Sequence, residues 1–166
     1  MADFAATLDL ESPAPGASTP EAANPGETHP EVNYREVIET VITSLREEGT
    51  ALVNHTPYGS LWKFQYGSVE VLVQLSGVTD DDAFTVWSVV LKPPYNNPGA
   101  LFRKLMQMNW SQTLEARFAL VQDQVVVVTS RTVADLSPGE ISRAITIVAT
   151  LADDHDDLLM AEFQGV

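Results

Sequence analysis

Four valines stand side by side from Val125 to Val128, inside the stretch FALVQDQVVVVTSRTVADLSPGE, Phe118 to Glu140. A strand with one wet face alternates apolar and polar residues, so an unbroken run calls for cover on both faces. ARFALV precedes the run, and only Gln122-Asp123-Gln124 separates the two. So short a connection joins antiparallel neighbours, and no crossover helix is required to cover the pair. One side, Val125 with Val127 or Val126 with Val128, is expected to pack on the protein's own helices. The other side is left to a partner: a second copy of the chain, its own acidic N-terminal segment, or a client protein.

The remaining elements follow from periodicity and punctuation. Asn33-Tyr-Arg-Glu36 reads as a helix start, and Val37, Ile38, Val41, Ile42 and Leu45 recur at helical spacing up to a stop at Gly49. ALVNHT is a possible short strand, closed by Pro57-Tyr-Gly59. LWKFQY alternates, with Trp62, Phe64 and Tyr66 on one face, and VEVLVQL returns after Gly67-Ser68 as the second arm of a hairpin. Phe84 to Lys92 is a third long strand, ended by Pro93-Pro94. Asn97-Pro98 starts a second helix that ends near Trp110. Ser137-Pro-Gly-Glu140 is a capping box with a proline start, and its helix runs toward Phe163.

Short turns between runs of strands predict an α+β domain rather than βαβ units. The expected architecture is an antiparallel β-sheet of about five strands flanked by three helices, in the order α-β-β-β-α-β-β-α. On the last helix, Ile141, Ile145, Val148, Ala152, His155 and Leu159 form one stripe. Ile147, Leu151 and Leu158 form a second apolar strip, wider than one core contact needs.

Residues 1–32 differ from the rest. They hold five of the ten prolines and six acids, with no Lys or Arg. Such a segment buries too little apolar surface to offset its ordering entropy, and a disordered acidic, Pro-rich tail is expected before a single domain over 33–166. Phe4, Leu8 and Leu10 within it are a candidate docking motif. The beginning of the chain lacks the basic and apolar regions of a secretory signal, and no apolar run reaches transmembrane length.

Charge and composition exclude several classes. A formal net charge of −14, from 9 basic and 23 acidic residues, repels phosphate backbones and anionic lipid, so neither nucleic acid nor membrane is an expected partner. The chain has no cysteine, which removes disulfides, thiolate catalysis and Cys-type metal sites and fits a cytoplasmic location. Asp153-Asp154-His155-Asp156-Asp157 offers ligand types, but on a helix only groups three or four apart share a face. A solvated acidic face with a half-buried His155 is the simpler reading, and no metal site, cofactor or catalytic residue is assigned. Glycines sit singly at turns, so no phosphate loop or dinucleotide fingerprint is present, and no G-x-S-x-G elbow occurs. The expectation is a non-enzymatic protein-binding module.

Aromatic residues have two readings. Trp62 and Phe64 are candidate protein-interaction residues if their stripe is exposed, and core if it is covered. Trp87 and Trp110 carry the same ambiguity. Ile147, Leu151 and Leu158 complete the candidate interaction set, with Leu151 marking an expected dimer contact and the sheet face as its alternative. The competing function is a small-molecule or metal-responsive sensor using His155 and its neighbours.

The C-terminal third carries a resemblance. Leu114-Glu-Ala-Arg117-Phe-Ala-Leu120, a polar turn, VVVVTSR, LSPGE and a helix ending in ADDHDDLL together resemble the YbjN-domain family of bacterial sensory-transduction regulators. The helix at Asn33 and the hairpin LWKFQYGSVEVLVQL fit the same layout over about Asn33 to Phe163. The resemblance implies a type III secretion chaperone-like fold, a homodimer, and a chaperone-like or regulatory role toward a protein partner. It transfers no catalytic residue.

Overall fold

Strand alternation and helix capping decide the architecture. A computed structural model describes residues 32–45, 52–56 and 59–165. The compact unit spans Val32–Val166. The expected tail, its apolar motif, the Gly49 stop and the closure at Pro57 and Tyr58 lie outside the described residues.

The elements are α1 (Tyr34–Leu45), β1 (Leu52–Thr56), β2 (Gly59–Tyr66), β3 (Val69–Leu75), β4 (Ala83–Leu91), α2 (Pro98–Ser111), β5 (Arg117–Val121), β6 (Gln124–Thr132) and α3 (Pro138–Phe163). All strand pairs are antiparallel, in the order β1-β2-β3-β4-β6-β5. The possible strand at ALVNHT is present as β1, so the sheet of about five strands carries a sixth at its edge.

Local chemistry sets the helix starts. Ser137 and Glu140 form the full capping box of α3, with Pro138 in the first turn. Asn97, at φ 50°, accepts from the Ala100 N–H and starts α2 with Pro98 behind it. The β5–β6 hairpin turns on Gln122 and Asp123 at φ 49° and 60°, the doubly left-handed form that matches strand twist.

Register assigns the faces. Trp62 pairs with Val73, Val73 with Val86, and Val86 with Thr129, all buried under the helices. Ile141, Ile145, Val148, Ala152 and Leu159 of α3 bury into this side. Ile38 and Ile42 of α1 and Leu101, Leu105 and Met108 of α2 join the same cluster. Val125 and Val127 belong to it, whereas Val126 and Val128 do not. An extra residue at Val90 shifts the register between Val89 and Leu91, and both Val90 and Leu91 become buried.

The acidic run on α3 has a structural task. The Ser68 N–H donates to Asp153 Oδ1 at 2.7 Å, and the Ser68 hydroxyl lies 2.8 Å from Asp156 Oδ2. Asp156 is buried. The two carboxylates therefore hold the β2–β3 turn onto the helix.

Candidate protein-interaction surfaces

The sheet face opposite the helices carries one apolar row. Leu72 of β3, Trp87 of β4 and Val128 of β6 stand directly opposite one another, all half-buried. Lys63 flanks the row at Leu72 and Arg117 flanks it at Val128. Val89, Val126 and Ala119 form the adjacent row. No helix among the described residues packs on this face. A trough of about 620 Å³ runs from Leu72, Trp87 and Val89 around the sheet end to Asp156, Met160 and Gln164.

The candidate residues separate into three places. Trp62 and Phe64 are 0% and 1% exposed in the helix-packed core, and the Trp62 indole donates to Glu39 Oε1 at 3.3 Å. Their stripe is core, the packing alternative stated for it, and offers no surface. Trp87 lies at the centre of the open face. Ile147 and Leu151 lie half-buried on the outer side of α3, where they share a groove of about 310 Å³ with Leu114.

Leu158 is 62% exposed and lines an adjoining groove of about 300 Å³ with His155, Lys104, Gln107 and Gln112. His155 Nδ1 lies 2.8 Å from the Leu151 carbonyl, and the ring meets Phe118 edge to face at 5.9 Å. The chain order gave no sign of Leu114, which adopts φ 51° and is 76% exposed. A left-handed backbone is costly for a bulky residue.

The described residues contain no group of three or more His, Asp or Glu placed to hold a metal ion. The pKa perturbations belong to loop and cap contacts. The Thr79 hydroxyl and N–H, with Ser76, hold the Asp82 carboxyl below its ordinary value. The Arg143 guanidinium does the same for Glu115. The Ser137 N–H, then Arg131 and the Ser137 hydroxyl, push Glu140 down to about 2. None of these groups lies on the Trp87 row. No helix among the described residues is long and apolar enough to cross a membrane.

An antiparallel sheet with three helices on one side and an apolar row on the other, with no helix over it among the described residues, defines a two-layer α+β domain. The solved crystal structure of the ExsC-ExsE complex contains a chain of similar fold, with a TM-score of 0.53 and 14% identity over 76% of this chain and 96% of that one. At that identity the likeness is one of fold alone. Residues 34–160 match the YbjN family, described as "Putative bacterial sensory transduction regulator", and the chain belongs to that family. No curated protein matches the sequence significantly.

Proposed function

We propose that this chain is a non-enzymatic protein-binding adaptor, chaperone-like or regulatory, that acts as a cytoplasmic homodimer. The observation that carries this reading is the Leu72–Trp87–Val128 row, which has apolar side chains, flanking cations and no covering helix among the described residues. Apolar patches left partly open to solvent mark protein contacts, and Trp is among the side chains that dominate them. The outer strip of α3, with Ile147, Leu151 and Leu158, is the proposed contact between the two copies.

The test compares partner capture by the wild-type chain and by Trp87→Ser, with thermal unfolding confirming that the variant folds. A protein retained by the wild type and lost from the folded variant supports the reading. Equal capture by both removes the sheet face from it.

A sensor is the second reading, favoured by the groove in which Lys104, Gln107, Gln112 and His155 converge beside Leu158 and Leu159. Thermal-shift screening with nucleotides, small carboxylates and divalent cations tests it. A ligand at about 100 times its Kd adds about 2.7 kcal/mol of stability. Absence of any shift across the screen counts against the sensor and leaves the adaptor standing.

A further inference from the structure

On the reading that the Trp87 row meets another protein, the charges around it fix the chemistry of that partner. One cross-strand row runs Lys63, Leu72, Trp87, Val128, Arg117, from β2 to β5. Both ends are cations, on a chain of net charge −14. Arg117 stands two strands from Trp87, about 10 Å to the side. Along the strand direction, the trough from Trp87 and Val89 reaches Lys92, about 16 Å beyond Trp87.

The acids beside this row are already engaged. Glu70 pairs with Lys63 at 2.5 Å. Asp156, buried at the end of the trough, accepts from the Ser68 hydroxyl at 2.8 Å and from the Asp157 N–H at 2.7 Å. No ion pair among the described residues engages Arg117 or Lys92. The apolar centre is therefore bordered on two sides by cations open to a carboxylate, and the Arg117 guanidinium can hold one through two parallel N–H bonds. A second copy stacked on this face brings two more such cations, and the acids of its own face are engaged in the same way.

The backbone narrows the mode. β3, β4 and β6 each pair along both edges, so the middle of the face offers no backbone edge to an extended segment. A helix has its own backbone bonds made and presents only side chains, the way an amphipathic helix docks in a groove. The diagonal from Arg117 to Lys92 is about 19 Å, the length of about 13 helical residues.

We propose that the Trp87 face receives an acidic amphipathic helix of a partner protein, its apolar side on Leu72, Trp87 and Val128 and its carboxylates on Arg117 and Lys92. The probe is a labelled synthetic peptide with Leu and Phe at helical spacing and Glu at its other positions, and the control carries Lys in place of Glu. Fluorescence anisotropy is read on the full chain at low salt and at about 0.5 M salt, where surface charge is strongly screened.

The acidic peptide binds, the Lys peptide does not, and salt weakens the complex. Trp87→Ser raises Kd by about tenfold or more. Arg117→Glu combined with Lys92→Glu does the same and turns the preference toward the Lys peptide. Both cations are exposed, and thermal unfolding checks the fold. Trp110→Ser leaves binding unchanged: Trp110 is 91% exposed, but it stands on α2, which packs on the helix side of the sheet. A preference for the Lys peptide that depends on Trp87 overturns the acidic partner and keeps the sheet face as a protein contact. Failure of the sheet-face reading itself shows separately, as partner capture that Trp87→Ser leaves intact. No binding of the acidic peptide, as where a second copy or another segment of the chain already holds the face, overturns the proposal. So does binding that Trp110→Ser removes, or a wild-type dimer that Arg117→Glu splits.

Discussion

The side-chain amide of Asn109 bonds both backbone groups of Phe118: Oδ1 accepts from the N–H at 2.7 Å, and Nδ2 donates to the carbonyl at 3.1 Å. A residue of α2 thus completes the hydrogen bonds that a neighbouring strand would make to β5. Edge strands invite pairing between chains, and a side chain bonded across the edge blocks it. Replacing Asn109 with Leu leaves two part-buried backbone groups without their partner. The expected cost is about 1–3 kcal/mol in urea unfolding, with a rise in concentration-dependent aggregation. Asn109→Asp keeps the acceptor and loses the donor, so it falls between. Wild-type stability in Asn109→Leu would show that the contact contributes nothing.

Gly67 is held against α3. Its φ is +51°, and a Cβ there would come within 2.0 Å of Asp153 Oδ1, the oxygen that accepts from the Ser68 N–H. Gly67→Ala therefore combines a left-handed backbone cost with displacement of the Asp153 clamp, together about 2 kcal/mol or more. Gly99→Ala is the control, since nothing lies within 4 Å of its Cβ position. Equal effects of the two substitutions on thermal unfolding would refute the clamp.

The α3 cap predicts an acid-side dependence of stability. Glu140, with an ordinary value of 4.5, titrates at about 2 in the folded chain. A depressed folded value means its stabilisation is present above about 4.5 and is lost as pH falls toward about 2. Glu140→Gln flattens the fall of the melting temperature within that window and leaves its shape at neutral pH unchanged. An identical acid-side slope in variant and wild type would contradict the assignment.

Much of this arrangement is legible in the residues. The capping box at Ser137, the hairpin turn after Val121 and the split of the four valines follow from spacing and turn chemistry. What spacing cannot tell is which side of an alternating strand the helices choose. Trp62 and Trp87 each sit on an apolar alternation, and only the register through Val73 and Val86 puts Trp62 beneath α1 and α3 and Trp87 on the open face. The Asn109–Phe118 contact was hidden for a related reason. It depends on α2 folding back along β5, and an Asn near a helix end looks the same with or without that return. Asp153 and Asp156 looked like an acidic solvent face until the β2–β3 turn came to rest on them.

Self-association is proposed to use the outer strip of α3. Leu158, at 62% exposed, can be changed without opening the core, whereas Ile147 and Leu151 pack partly against it. Leu158→Glu is expected to shift the chain from dimer to monomer mass in sedimentation equilibrium, with the melting curve retained at high dilution. A dimer mass unchanged by Leu158→Glu, or a monomeric wild type, removes this contact.

The central claim is that another protein covers the Trp87 row. Photo-crosslinking in living cells tests it most directly, with a benzoyl-phenylalanine placed at position 87 and, as control, at the exposed loop position of Val78. The account predicts a discrete adduct between this chain and a different protein from position 87 and none from position 78. No adduct from position 87, or the same adducts from both positions, would contradict it.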